Sequence, residues 1–197
     1  LKKKSIVLIN PGNIKLNFFT IKEIYQRKSE KEYCKLIYSK GYIGESKLFE
    51  IISKKNFFNE FLLDIYSNNA NLISPNKSIN FCNPVAYKKY LDKLPNYDAF
   101  ICLEDYPPCP NAVIEAQLCG LPIIALQQGS IPEIVVDKTF LLPNNYLMLS
   151  SKKQKKILRE KILKVINMKK VNIENIAKLS YEKFCKNASK AYIDFLS

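Results

Sequence analysis

Short apolar runs alternate with amphipathic stretches along most of this 197-residue chain, and this alternation is the feature that most constrains its fold. Several of the runs are apolar at nearly every position, as strands covered on both faces are. The predicted strands span residues 5–10, 33–39, 61–66, 78–82, 97–103, 121–126 and 139–142. Helical spacing or helix-start signals fall at 45–53, 86–93, 111–119 and 130–136. This alternation predicts an α/β fold, with a Rossmann-like, doubly wound parallel sheet and helices on both faces.

The chain changes character after Pro143, where helical patterns replace the short apolar runs. The predicted C-terminal helices span residues 151–168, 171–185 and 187–196. Neither an internal repeat nor a Gly/Ser-rich linker divides the chain, and its length suits one domain. We therefore predict a single domain over 1–197, with an α/β core at about 1–145 and a helical C-terminus at 146–197. Because the first residue is Leu1 and not Met, we expect a piece of something longer.

The ionisable composition limits the available chemistry. Histidine is absent, which excludes Ser–His and Cys–His nucleophile pairs, imidazole bases and every metal site that contains His. Lys and Arg number 31 against 18 Asp and Glu, and the formal net charge of +13 favours an anionic partner. The six cysteines contain no CxxC pair and lie mostly in apolar runs, so we interpret them as reduced core residues.

The sequence favours a soluble protein. No apolar stretch approaches the roughly 18 to 20 residues of a membrane span, and the basic start lacks a signal-peptide core, so we expect a cytoplasmic location. The predicted helix at 151–168 is amphipathic and basic, and such a helix can lie on an anionic membrane surface. A solvated face in a Lys-rich chain is the more common explanation. Peripheral contact with the inner face of a membrane therefore remains the second of these two alternatives.

Residues 97–135 carry most of the functional information: a buried strand, a Pro-rich loop at 107–110, a helix, and a second strand and turn. The loop brings Asn111 near the N-terminus of the helix, whose backbone N–H groups can bind phosphate. Glu115 follows about one turn later and can accept hydrogen bonds from a vicinal diol such as that of a ribose. Each feature alone is also typical of ordinary capping or turn chemistry. Their ordered combination favours an anionic ligand at the carboxyl edge of the sheet.

This stretch resembles the signature of the GT4-type retaining glycosyltransferases of GT-B fold. In that family a strand leads to E-x-C-P-N-x-x-x-E, followed by A-x-A-C-G-x-P-V-I-A, a Gly-Gly turn and P-E-I-V. The matching residues here are Cys109, Pro110, Asn111, Glu115, Ala116, Cys119, Gly120, Pro122, Gly129, Pro132, Glu133, Ile134 and Val135. Weaker similarity covers residues 5–12, 33–41, 61–68, 78–84, 141–143 and 181–196. The resemblance implies one half of a GT-B enzyme, the C-terminal donor-binding domain, without the N-terminal acceptor domain.

The resemblance also implies roles for individual residues in binding a nucleotide diphosphate sugar. Glu115 would hold the ribose hydroxyls, and Lys40 and Lys47 would neutralise the diphosphate. Asn83 and Pro84 would lie beside the base. The backbone of Cys109, Pro110, Asn111 and Ala112 would meet the sugar and phosphates.

Two positions depart from the family pattern. Pro107 stands where the first glutamate of the family pair is usual, and Glu104 or Asp105, just upstream, would have to act on the transferred sugar in its place. Lys40 stands where Arg is usual, and lysine offers a point charge in place of a bidentate fork. No metal or other cofactor is expected, because the loops contain no D-x-D pair.

We therefore predict a glycosyltransferase domain that binds a nucleotide-sugar donor for transfer to a glycan or lipid-linked acceptor. As an isolated half it should turn over poorly. The alternative is a GT-B-like sugar-nucleotide epimerase, which the lack of His disfavours. A third hypothesis is a basic nucleic-acid-binding module. Neither basic-aromatic interleaving nor a recognition-helix pattern supports it, so no nucleic acid partner is expected.

Overall fold

The computed structural model describes residues 33–40, 46–54, 61–68, 74, 76–168 and 170–186. The predicted strand at 5–10 and the predicted helix at 187–196 lie outside the described residues, as does the first residue of the predicted helix at 45–53. Within the described part, the elements alternate between strand and helix in the order that the sequence predicts.

A five-stranded parallel sheet forms the centre of the described structure. Its strands are β1 (Cys34–Ser39), β2 (Phe61–Tyr66), β3 (Ile79–Cys82), β4 (Ala99–Ile101) and β5 (Ile123–Ile124). The spatial order is β3-β2-β1-β4-β5. The strands are apolar at most positions, and most of their residues are buried, including all of β4 and β5. The predicted α/β fold is confirmed.

Helices connect the strands and close the C-terminal end. They are α1 (Lys47–Ser53), α2 (Tyr87–Lys93), α3 (Asn111–Leu118), α4 (Ile131–Ile134), α5 (Ser151–Ile166) and α6 (Lys170–Tyr181), which continues as a π-helical turn (Glu182–Lys186). Short 3₁₀ turns occupy Leu94–Asn96, Lys138–Phe140 and Tyr146–Met148. The apolar stripe of α5 faces the core, since Leu158, Ile162 and Val165 are fully buried.

The strand order reverses at β1. From β1 the chain moves outward to β2 and β3, then returns through α2 to β4 on the other side. Parallel crossovers are almost always right-handed, so connections running in opposite directions place α1 and α2 on opposite faces. The reversal opens a crevice between the carboxyl ends of β1 and β4, which is where open α/β sheets bind ligands.

The C-terminal helices pack onto this sheet at a position that requires glycine. Helix α5 contacts β1, and α6 contacts α3. Gly120 ends α3 with a φ of +81°, and a Cβ added there would lie 2.5 Å from Ile173 Cγ2 and 3.0 Å from the Ile173 carbonyl oxygen. A larger residue would therefore push α6 away from α3.

The predicted strand at 139–142 is wrong. The Thr139 backbone N–H donates to Oδ1 of Asp137 at 2.9 Å, and this local bond turns the chain into the 3₁₀ turn Lys138–Phe140. Leu142 alone forms an isolated parallel bridge with Leu126. The side chain of Asp137 thus competes with sheet pairing that the apolar pattern favours. The strand predicted at 121–126 is shorter in the structure, where regular pairing is limited to Ile123–Ile124.

Candidate functional site

The candidate site lies at the carboxyl edge of the sheet. Because all five described strands are parallel, the segments that follow them meet at one edge. Lys40 follows β1, Asn83 and Pro84 follow β3, the loop at 102–110 follows β4, and the turn at 127–130 follows β5. The sequence-predicted donor residues therefore gather at the edge where the topology predicts a ligand.

Two hydrogen bonds fasten the β4 loop to the β5 turn. The backbone N–H and the side-chain hydroxyl of Ser130 both donate to the Pro107 carbonyl, each at 3.0 Å. Gly129 has a φ of +57°, and a Cβ there would lie 2.6 Å from the same carbonyl oxygen. Tyr106, which is largely exposed, has a φ of +49°, a conformation that costs a non-glycine residue free energy. These contacts fix the path of the loop that precedes α3.

Lys40 and Glu104 form an ion pair across the crevice between β1 and β4. Lys40 Nζ lies 2.9 Å from Glu104 Oε2, and the glutamate side chain is 17% exposed. Burial, with a smaller contribution from Glu104, raises the pKa of the Tyr38 hydroxyl, and burial raises the pKa of the Cys102 thiol to about 12. Both groups are therefore neutral near pH 7. Glu104 and Lys40 are the charged groups that meet at this point of the crevice.

Asp105 contacts the start of α1. Its Oδ2 accepts a hydrogen bond from the Lys47 backbone N–H at 3.3 Å, and its buried Oδ1 has no hydrogen-bond partner within the described residues. Ser46 caps α1 by accepting from the Phe49 N–H, and its hydroxyl donates to the Leu103 carbonyl. The N-terminus of α1 is thus held against the β4 loop, with the Lys47 side chain exposed.

Glu115 has a neutral partner. The Tyr87 hydroxyl, at the first position of α2, donates to Glu115 Oε1 at 2.9 Å. Burial raises the pKa of the Glu115 carboxyl, and the hydrogen bond from Tyr87 opposes part of that rise. Burial, together with Glu115, raises the pKa of Tyr87 to about 12. Glu115 is therefore a partly buried carboxylate that meets no cation within the described contacts.

The remaining predicted site residues lie along the same edge. Pro110 is the N-cap of α3, so the N–H groups of Asn111 and Ala112 have no acceptor within the helix. Cys109 is partly buried, and Asn83 and Pro84 are exposed directly after β3. The pairing of Lys40 with Glu104 and the contact between Asp105 and Lys47 bring the predicted catalytic and phosphate-binding residues together. Among the described residues, no group of three or more Cys, Asp or Glu side chains could hold a metal ion.

Sequence reasoning missed Tyr87. This residue is the second of the predicted helix at 86–93 and has no motif around it, and its hydrogen bond to Glu115 joins positions 28 apart in the chain. An aromatic residue just after the segment predicted to lie beside a base is the one signal that could have pointed to it. The roles predicted for the other site residues stay predictions.

The fold is that of one half of the GT-B glycosyltransferases. The structure of HepE from Anabaena in complex with UDP is similar with a TM-score of 0.61 and 14% identity, over 90% of this chain and 52% of that one. TarM is similar with a TM-score of 0.59 and 15% identity, over 85% of this chain and 36% of TarM. The catalytic domain of cholesterol-α-glucosyltransferase from Helicobacter pylori is similar with a TM-score of 0.55 and 14% identity, over 77% of this chain and 99% of that domain.

At the level of sequence, no protein-family model matches the chain, and no curated protein matches it significantly. The chain spans about a third of TarM and about half of HepE. No helix in the described part of the chain has both the length and the apolar character needed to cross a membrane.

Proposed function

We propose that this chain is the donor-binding domain of a GT4-type retaining glycosyltransferase and that it binds a nucleotide diphosphate sugar at the carboxyl edge of its sheet. The observation that carries the proposal is Glu115: a carboxylate on α3, at the ligand-binding edge of a GT-B half, whose one described hydrogen-bond partner is neutral. A carboxylate that is free of cations can accept hydrogen bonds from the two hydroxyls of a ribose.

The diphosphate would bind nearer the crevice between β1 and β4. Lys40 and Lys47 supply positive charge there, and the N–H groups of Asn111 and Ala112 add the positive end of the α3 dipole. As the sugar leaves, negative charge develops on the diphosphate, and preorganised donors of this kind stabilise that charge. Cys109 and Pro110 would bring backbone close to the sugar, and Asn83 and Pro84 would lie beside the base.

Glu104 and Asp105 are our candidates for contact with the transferred sugar. Glu104 is held by Lys40, and Asp105 retains a buried oxygen without a hydrogen-bond partner within the described residues. A sugar hydroxyl could donate to either carboxylate once donor has bound. We propose no metal or other cofactor, because lysine and helix N–H groups supply the positive charge that a metal would bring. Transfer to an acceptor would require a second GT-B half, so we expect the chain alone to bind donor and turn over poorly.

The test is isothermal titration of the 197-residue protein with UDP, GDP and ADP. We expect one of them to bind with a dissociation constant in the micromolar to low millimolar range, and uridine, guanosine or adenosine to bind more weakly than its diphosphate. If none of the three diphosphates bound at millimolar concentration, the proposed function would be wrong.

We also propose a cytoplasmic location. Peripheral contact between α5 and an anionic membrane is the second alternative for the basic side of this helix, after a solvated face. The basic side chains of α5 are exposed: Lys152, Lys153, Lys155, Lys156, Arg159 and Lys164. Leu158, Ile162 and Val165 of the same helix are buried in the core, so contact would depend mainly on charge. Membrane contact predicts co-sedimentation with phosphatidylglycerol vesicles at about 20 mM salt and none at about 500 mM, whereas a solvated face predicts none at either concentration. Sedimentation that is equal at both salt concentrations, or absent at both, would contradict this contact.

A further inference from the structure

We propose that Tyr87 is a positioning residue for Glu115: its hydroxyl fixes the orientation of the carboxylate, so that the protein selects ribonucleotides over nucleotides that lack the ribose diol. This inference rests on the proposed function and adds to it a residue and a selectivity. The geometry is the hydrogen bond of 2.9 Å from the Tyr87 hydroxyl to Glu115 Oε1, which joins the first residue of α2 to the second turn of α3.

The hydrogen bond from Tyr87 leaves acceptor positions on the Glu115 carboxylate for the ligand. An ionised carboxylate offers about four acceptor positions, and Tyr87 uses one of them. Both ribose hydroxyls can therefore donate to Glu115 while Tyr87 stays bound. Lysine in the place of Tyr87 would form an ion pair and would compete with the hydroxyls more strongly.

The described groups around Glu115 are neutral. Among the described residues, the titratable groups that face it are Tyr87 and Tyr90 from α2 and Cys119, which directly follows α3. Burial raises the pKa of each of these groups, to about 12 for Tyr87 and for Cys119, so all three stay protonated across the physiological range. Tyr87 is thus the one group whose described hydrogen bond holds the carboxylate.

Tyr87 differs in exposure from Tyr90, which lies one turn later in α2. The Tyr90 side chain is buried, and its ring packs edge-on against Tyr66 with ring centroids 6.4 Å apart. Tyr87, in contrast, is 53% exposed. A tyrosine that served packing alone would be expected at the buried position, whereas an exposed ring whose hydroxyl reaches a carboxylate suits a ligand-facing role.

Removing the hydroxyl should weaken ribonucleotide binding, because the glutamate side chain would have to be ordered when the ligand binds. The expected loss for Tyr87→Phe is about three- to ten-fold in affinity for UDP, or for whichever diphosphate binds tightest. Affinity for the 2′,3′-dideoxy analogue should change less than about two-fold. The matched control is Tyr33→Phe, at the opposite edge of the sheet before β1, which should leave both affinities unchanged.

A pH series provides a readout that a structural role would not change. The hydrogen bond from Tyr87 lowers the pKa of Glu115, so Tyr87→Phe should raise it. Ribonucleotide affinity of the variant should then decline at a higher pH than that of the wild type when titrations run from pH 8 down to pH 5. Dideoxy affinity should show no such displacement.

A double-mutant cycle with Glu115→Ala completes the test. In the Glu115→Ala background, Tyr87→Phe should change UDP affinity less than about two-fold. If wild type bound nucleotide but Tyr87→Phe kept the full preference for ribose, or weakened both analogues equally, the positioning role would be overturned and the proposed function would stand. If wild type bound no nucleotide, both would fall.

Discussion

Two carboxylates lie at the same edge of the sheet, and their partners differ in charge. Glu104 pairs with the ammonium of Lys40, whereas Glu115 accepts a hydrogen bond from the neutral Tyr87. In the proposed donor site, a diphosphate would have to compete with Glu104 for Lys40. A ribose would add to the contact that Glu115 already makes with Tyr87. Under the proposed function, the nucleoside half of the site would therefore be preorganised, whereas the phosphate half would have to exchange partners when ligand binds.

The largest expected effect is at Glu115. Replacing it with Ala removes hydrogen bonds between the ribose hydroxyls and a charged acceptor, so UDP affinity should fall about 10- to 100-fold in isothermal titrations. The 2′,3′-dideoxy analogue should lose less than about two-fold. Glu160→Ala, on the exposed side of α5, is the matched control and should bind as wild type does. Equal losses of affinity for UDP and for the dideoxy analogue would mean that Glu115 does not act on the ribose hydroxyls, and the proposed difference from Glu104 would disappear.

Replacing Lys40 tests the proposed phosphate-binding half of the site. Lys40→Ala removes a cation and leaves the Glu104 carboxylate unpaired beside the diphosphate, so UDP affinity should fall about three- to ten-fold. Affinity for uridine should hardly change. Lys54→Ala, just after α1, removes an equal charge away from the crevice and serves as the control. A uridine loss as large as the UDP loss would show that Lys40 acts on the whole site and not on the phosphates.

The sequence predicted the alternating elements because periodicity is local. The sheet edge followed from that alternation, and the Pro-rich loop with the helix after it placed Asn111 and Glu115 on that edge. The ion pair of Lys40 with Glu104 could not be predicted, since it depends on the reversal of strand order that makes β1 and β4 neighbours. Tyr87 was missed for the same reason, because its partner comes from another helix. The predicted strand at 139–142 was wrong because the hydrogen bond from the Thr139 backbone N–H to the Asp137 side chain outweighed the apolar pattern.

Glu104→Gln should produce a smaller change of opposite sign. Without the carboxylate, Lys40 is free to bind phosphate, so UDP affinity should rise about two- to five-fold, as expected for loss of a partly exposed ion pair. Uridine affinity should stay the same, and the gain should shrink at high salt. Weaker UDP binding by this variant would mean that Glu104 orients Lys40 and does not compete for it.

The smallest expected effect concerns stability. Burial raises the pKa of Glu115 above its value in the unfolded chain, so the folded state holds the proton more tightly than the unfolded state does. The stability from this group is therefore present at low pH and is lost as pH rises through the pKa of the folded state. Glu115→Gln should raise Tm at pH 7.5, and the gain should disappear towards pH 4. An advantage that stayed constant with pH would contradict the raised pKa.

The most direct measurement compares two ligands on the unmodified protein: UDP and 2′,3′-dideoxy-UDP, titrated under identical conditions, with GDP or ADP and its analogue used if that base binds tighter. A preorganised Glu115 predicts that the ribonucleotide binds at least about ten-fold tighter than the analogue without the diol. Equal affinities for the two ligands would contradict the assignment of this carboxylate to the ribose.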